Sequence, residues 1–289
     1  MSCILVTGSA GLLADKLINE FSDFDVFAGY YNNIPHAKKK IKIDITDKKN
    51  VISVIKKIQP DIIIHAAALT NVDLCEINRK GAWKINVQGT RNITEAIKGK
   101  NIKIVLISTD FVFDGKKGLY SEEDEPNPIN YYGLTKLEAE RLVKKHDNYL
   151  IIRTARIFGI SKYKDNFLIF VIKKLRKNEE IKIVGDQYGS PTLANDISRI
   201  IKQLIKKNAR GLYNVVGSDT ISMYEFALKI AKVFNLNAHL IKKIKSKELQ
   251  QKALRPMKCG LKTDKIKKLG IKTLGIEEAL IKIKNEIEL

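Results

Sequence analysis

A tyrosine and a lysine four residues apart, Tyr132 and Lys136, stand in the stretch Asn130-Tyr131-Tyr132-Gly133-Leu134-Thr135-Lys136. Residues 137–143, Leu-Glu-Ala-Glu-Arg-Leu-Val, are good helix formers with apolar positions at helical spacing, which predicts one helix carrying both side chains. Four residues is about one turn, so the phenol and the ammonium share a face. An ammonium beside a phenol favours the phenolate, and is expected to lower the tyrosine pKa and make it a proton donor near neutral pH. The same spacing is common on exposed helices, so the pair takes its meaning from what precedes it.

Residues 3–7, Cys-Ile-Leu-Val-Thr, read as a fully buried strand running into Gly8-Ser9-Ala10-Gly11-Leu12-Leu13-Ala14, after which Leu17 and Ile18 continue a helical repeat. Strand, glycine turn and helix start make a place where backbone N–H groups can meet a pyrophosphate. Gly8 permits the tight turn, Gly11 lets phosphates approach, and Ala14 is small at the third position. A dinucleotide site over Gly8, Ala10, Gly11, Leu12 and Leu13 is the expectation. A second strand, residues 25–30, ends in Gly29-Tyr30-Tyr31-Asn32-Asn33 without the carboxylate that an NAD-selective site places on the ribose 2′-hydroxyl. Lys38-Lys39-Lys40 follow, either as a solvated run or near a 2′-phosphate. NADPH is therefore favoured, NADH remains possible, and Tyr30 is placed at the cofactor. A third strand, residues 41–45, carries Asp44 and Ile45 at its end. Asp44 either accepts from an adenine amino group or caps the helix that starts near Thr46-Asp47.

A fourth strand, residues 61–65, leads to Ala66-Ala67-Ala68, whose small side chains leave room for a cofactor. His65 reads as a packed, satisfied histidine. The helical stretch 81–97 holds Asn86 between Ile85 and Val87, where it is either structural or the holder of a proton-carrying water. The fifth strand, residues 102–107, ends in Ser108-Thr109-Asp110, and ligands of parallel sheets bind at the carboxyl ends of strands, where a hydroxyl can meet a carbonyl oxygen. A polar, proline-broken loop over 111–128 then delivers the chain to Tyr132, and a sixth strand occupies 149–154. This alternation predicts an α/β fold with a Rossmann-type doubly wound parallel sheet.

Beyond residue 160 the order changes: helix 166–177, strand 181–184, loop 185–192, helix 195–207 and strand 211–216, with Ser222 capping a helix to Phe234. The expected organisation is a nucleotide-binding domain over 1–160, rejoined by about 211–235, and a smaller interleaved substrate lobe over 161–289. Residues 240–289 are lysine-rich and mixed.

Composition bounds the function classes. The chain has 289 residues, 44% hydrophobic and 29% charged, which suits a soluble globular protein with a sizeable core. It has no apolar run of membrane length and no signal-type start, so no membrane association is expected. Cys3, Cys75 and Cys259 lie far apart without metal-ligand spacing, which points to reduced thiols, a cytoplasmic protein and no metal site. The net charge is +20, with 43 lysines against 9 arginines. Base readout favours arginine, and single-strand binding favours a basic groove with interleaved aromatics. Neither pattern is present, so nucleic acid is not an expected partner.

Taken together, these residues resemble the extended short-chain dehydrogenase/reductases, and within them the dTDP-4-dehydrorhamnose reductase family. The matches run through nearly the whole chain: the turn Gly8 to Ala14; Ala66-Ala67-Ala68 with Thr70, Val72, Asp73 and Glu76; Ser108 to Gly115; Tyr120 to Pro128; the Tyr132/Lys136 pair; Arg153-Thr154; Asn166-Phe167; Asp186-Gln187 with Gly189, Pro191 and Thr192; and Arg255-Pro256. The resemblance implies NADPH-dependent reduction of the C4 ketone of a nucleotide-diphosphate 6-deoxyhexose by a homodimer. It implies that Thr109 binds the ketone oxygen, Tyr132 protonates it, and Lys136 holds the nicotinamide ribose. Thr70, Val72, Asp110, Phe111, Arg156 and Gln187 are the implied substrate contacts. Two positions depart from the family pattern. Arg153-Thr154-Ala155-Arg156 stands where the family commonly has Arg-Thr-Ser-Trp, and Phe111 stands where tyrosine is usual. Arg156 either meets a phosphate or carboxylate of the substrate or pairs with Asp165 or Asp186. The alternatives are an NADP-binding regulatory subunit like the β subunit of methionine adenosyltransferase, and a nucleotide-sugar epimerase.

Overall fold

Runs of Ile, Val and Leu bounded by glycine, asparagine and aspartate become the strands of one sheet in a computed structural model that describes residues 2–163 and 165–288. Along the chain, β1 (Cys3–Thr7), α1 (Leu12–Glu20), β2 (Asp25–Tyr30), β3 (Lys39–Lys42), α2 (Lys48–Ile58), β4 (Ile62–His65), α3 (Val72–Ile77), α4 (Arg79–Trp83), α5 (Gly89–Ala96), β5 (Lys103–Thr109), α6 (Tyr131–Val143) and β6 (Tyr149–Thr154) alternate. The seven-stranded order is β11-β6-β5-β4-β1-β2-β3, where β11 (Gly211–Asn214) returns to pair in parallel with β6. All pairings in this sheet are parallel. Both faces are covered by helices, which is why its central strands are apolar throughout rather than alternating. On one face Val6, Ile64 and Val105 pack with Leu13 and Leu17 of α1; on the other Leu5, Ile63 and Leu106 pack with Val51, Ile55 and Ile93.

The remaining elements are β7 (Ile157–Phe158), α7 (Phe167–Arg176), β8 (Ile181–Val184), β9 (Tyr188–Gly189), β10 (Thr192–Leu193), α8 (Ala194–Lys206), β12 (Ile221–Ser222), α9 (Met223–Val233), β13 (Ile241–Ile244), α10 (Asp264–Lys267) and α11 (Ile276–Glu288). The apolar stripe of α8, Ile197, Ile200, Ile201 and Leu204, joins the core on the α1 face of the sheet. Ser222 caps α9 through a capping box with Glu225, as its position ahead of an apolar run predicts. A separate core forms around Phe158, Leu168, Phe226, Ile230 and Leu280, from α7, α9 and α11, beside the short parallel pair β8–β13.

Three local features differ from the sequence expectation. The third strand spans 39–42 rather than 41–45, because Ile43 and Ile45 leave the sheet edge to fill the core under α2. The stretch 72–77 forms a helix, started by Asn71, whose side chain accepts from Leu74 N at 2.9 Å. The single helix expected over 81–97 is divided: between α4 and α5 the backbone widens into a π-helical turn at Lys84–Gln88. Asn86 lies in that turn with its side chain fully engaged, accepting from Leu69 N at 2.8 Å and donating to Leu69 O at 3.1 Å and Thr135 Oγ1 at 2.9 Å. The displaced ladder aims the amide sideways at the loop after β4 and at α6, a common use of a π-turn.

Candidate active site

A cleft of about 690 Å³ opens at the carboxyl ends of the strands. Its floor begins at the β1–α1 turn. Gly8 has φ +72°, and a Cβ there would stand 2.6 Å from Ala67 Cα, so the turn can close against the loop after β4 only as glycine. Gly11 is the N-cap of α1 and offers no side-chain cap, which leaves first-turn N–H donors for an anion. A nine-residue helix start bounded by glycine, with Ala66 and Ala68 opposite, is a fit for a pyrophosphate.

The other wall is built by the end of β5 and the start of α6. Asn130 caps α6, accepting from Gly133 N at 2.8 Å. A Cβ at Gly133 would fall 2.1 Å from Phe111 O, so glycine lets the helix start press on the loop after β5. That contact brings Thr109 and Tyr132 to one place, with the Phe111 ring edge-on to Tyr132 at 6.0 Å. Thr109 Oγ1 lies 3.2 Å from Asp110 Oδ1 and accepts from Phe111 N at 3.2 Å. Of the residues expected at ligands, Gly8, Ala10, Gly11, Leu12, Leu13, Ala66, Ala68, Thr70, Val72, Thr109, Asp110, Phe111, Tyr132, Lys136 and Arg156 all line this one cleft.

Five expected residues stand outside its walls, each for a visible reason. Asp44 turns its carboxylate onto Thr46, accepting from both its N–H at 2.9 Å and its hydroxyl at 2.8 Å, while Asp47 takes the capping role for α2. Ile45 is buried in the core under α2. Ala67 faces Gly8 and donates its N–H to Thr7 Oγ1 at 3.3 Å. Tyr30 ends β2 beside Lys42 of β3, and Asn33, three residues later, reaches the cleft in its stead. Gln187 donates to Ser246 and Gln251. Sequence reasoning also passed over residues that do line the cleft, among them Ser108, Thr154 and Asn166. The signal was available for all three: Ser108 and Thr154 sit at the carboxyl ends of β5 and β6, Asn166 caps α7, and all lie inside stretches already singled out.

The electrostatics correct one expectation. The Tyr132 phenol is not lowered by its lysine neighbour. Burial pushes its pKa well above the ordinary value; the Thr109 hydroxyl pulls it back, and Asp110 and Cys75 add to the rise. Lys136 is itself buried, which brings its ammonium down to about 8, with the Glu140 carboxylate holding it up. One-turn spacing put the two groups on one face, as expected, but withdrawal from water sets the direction of both shifts. Asp110 is likewise pushed up, to about 6, by burial, against the pull of Arg156, and its Oδ2 has no hydrogen-bond partner. His65 is neutral, lowered to about 3 by burial, and both ring nitrogens are engaged, with Thr7 Oγ1 at 2.8 Å and Thr90 Oγ1 at 3.1 Å.

Arg156 sits at φ +43°, a left-handed conformation uncommon for arginine. Its guanidinium donates to Gln187 O at 2.9 Å and Ile221 O at 3.3 Å. Neither acid considered from the sequence is its partner: Asp165 pairs with Lys173 and Asp186 accepts from Ser246. Two backbone carbonyls anchor the group, and Asp110 faces it across the cleft wall.

Residues 1–288 match the family described as RmlD substrate binding domain. The chain belongs to this family. Among its relatives is the dTDP-4-dehydrorhamnose reductase of Aggregatibacter actinomycetemcomitans, 32% identical over 98% of this chain and 99% of the relative. The methionine adenosyltransferase 2 subunit beta of Danio rerio is 29% identical over 93% of this chain and 85% of its own length. Among solved structures, the dTDP-4-dehydrorhamnose reductase of Bacillus anthracis in complex with NADP superposes with a TM-score of 0.89 at 35% identity, over 99% of both chains. Among the described residues, no helix of this family member is long and apolar enough to cross a membrane.

Proposed function

We propose that this chain is an NADPH-dependent reductase of a nucleotide-linked 4-keto-6-deoxyhexose, in the manner of dTDP-4-dehydrorhamnose reductase. One observation carries the reading: Thr109, Tyr132 and Lys136 share a wall of the same cleft whose floor is the Gly8–Gly11 turn. NADPH, when bound, supplies a hydride to the ketone carbon. Gly8, Ala10, Gly11, Leu12 and Leu13 would hold its pyrophosphate, Ala66 and Ala68 make room for it, and the absence of a carboxylate after β2 favours the 2′-phosphorylated form over NADH.

The chain's own residues handle the oxygen and the proton. Thr109 Oγ1 donates to the ketone oxygen, where negative charge develops during reduction. Tyr132 keeps its phenolic proton at neutral pH because its pKa is raised, and gives it to that oxygen as the alkoxide forms. Lys136, an ammonium below about pH 8, stabilises the phenolate left behind and reaches the ribose. Asp110 and Arg156 line the same cleft and are assigned to the sugar, together with Thr70, Val72 and Phe111. The three free cysteines support a cytoplasmic location, and the family resemblance supports a homodimer.

A regulatory subunit that only binds NADP has no need of a hydroxyl, a phenol and an ammonium converging on one point, so the reductase reading is preferred. A panel of dTDP- and GDP-linked 4-keto sugars, followed by loss of NADPH absorbance, tests it. Turnover of at least one member is expected. Tight NADPH binding with no turnover on any member would favour the regulatory subunit instead.

A further inference from the structure

The face of α6 that presents Tyr132 and Lys136 continues one turn further, to Glu140. Glu140 is fully buried, and its carboxylate is shared among three elements. Ser108 Oγ, at the end of β5, donates to Oε1 at 2.5 Å. Arg153 of β6 forks onto it, Nε to Oε1 at 3.0 Å and Nη2 to Oε2 at 2.8 Å. The same guanidinium lies over the Phe113 ring at 4.9 Å. Ser108 adjoins Thr109, Arg153 precedes Arg156 by three residues, and Glu140 stands below Lys136. One carboxylate therefore ties together the three elements that present the reacting groups. We propose that Glu140 is a positioning residue for the reduction, fixing the end of β5 against α6 and β6 and keeping Lys136 in its ammonium form.

A salt bridge serving the fold alone would need one cation and one anion. Here one buried carboxylate serves two buried cations: Arg153 is hydrogen-bonded to it, and Lys136, one turn before it on α6, is held towards its ammonium form by its charge. The other titratable groups packed about this face do not take its place. His65 on β4 is neutral, and the Cys75 thiol on α3 is raised to about 11 and stays protonated. Asp110, beyond β5, acts on Arg156 and Tyr132. Glu140 is the group that offsets the burial of Lys136.

The proposal rests on the reductase reading, so its test includes a measurement that needs no turnover. In ligand-free protein isotope-labelled at lysine Cε, the Lys136 resonance is identified by its loss in Lys136→Met. Glu140→Gln is expected to move its titration midpoint down by about one pH unit or more, as loss of a nearby opposite charge does. The alkaline fall of kcat should move with it, while KM for the sugar stays within about twofold. Ser108→Ala, which leaves the carboxylate and Arg153 in place, should lower kcat without moving the midpoint. If Glu140→Gln fails to fold, Glu140→Asp, which withdraws the carboxylate by one methylene, should give a smaller shift in the same direction. An unmoved midpoint in whichever variant folds would overturn the proposal, and Glu140 would be structural only. A moved midpoint with an unmoved kcat limb would overturn its catalytic half. Absence of any ketone reduction by the unmodified protein, with the midpoint moved, would sink the reductase reading and leave the Glu140–Lys136 relation standing.

Discussion

Two polar clusters meet on α6 and differ in how their charges are paired. In the first, Glu140 accepts three hydrogen bonds from Ser108 and Arg153, while Arg153 Nη1 is left without a partner. In the second, Lys136 has lost much of its preference for the charged form, the Tyr132 phenol is pushed up, and Asp110 keeps an oxygen without a partner. Both are largely withdrawn from water, so burial alone does not mark a site. Each holds one orphaned atom, so what separates them is counter-charge: the first is an ion pair, and in the second Lys136 forms no ion pair among the described residues, a demand that a ligand can fill.

Breaking the ion-paired cluster should cost the most stability. Arg153→Met strands the Glu140 carboxylate in the interior, and urea unfolding is expected to show a loss of about 3–5 kcal/mol. The cluster around Lys136 should behave in the opposite sense. Lys136 has a folded-state pKa near 8, below its ordinary value of 10.5, so the folded protein bears a cost for the ammonium that is full below pH 8 and fades as pH rises towards 10.5. Lys136→Met should therefore raise stability at neutral pH by about 1–3 kcal/mol, with the gain shrinking across that window, and should abolish turnover. A Lys136→Met protein no more stable than its parent would remove the contrast. The smallest effect is assigned to Arg156, which is anchored by two carbonyls yet faces the cleft. Arg156→Ala should raise KM for the sugar by about 5–10-fold, or about 1 kcal/mol, with kcat changed less. Arg156→Trp should shift preference towards dTDP-4-dehydrorhamnose. Unchanged kinetics in both would assign Arg156 to the fold.

Much of this contrast was legible in the sequence, and the rest was hidden for physical reasons. Strands buried on both faces announce themselves as unbroken apolar runs, which is why β1, β4, β5 and β6 fell where expected. A cap such as Ser222 acts locally and reads equally well. The π-turn at Asn86 does not, because it depends on partners at Leu69 and Thr135 that only the tertiary fold brings near. Asp44 shows the same limit from the other side: two local hydrogen bonds to Thr46 won over a ligand contact that spacing alone allowed. The sign of the Tyr132 shift was missed because spacing reports which charges are neighbours and says nothing of how much water each has lost.

The most direct test of the account compares the unmodified protein with Tyr132→Phe on a 4-keto sugar that the former accepts. The change removes one hydroxyl from a packed ring, so NADPH binding, followed by calorimetry, should be retained. Turnover should fall by on the order of 100-fold or more, because the proton donor is gone while the hydride source remains. Near-normal turnover by Tyr132→Phe would contradict the account, since the proton would then have to come from another group.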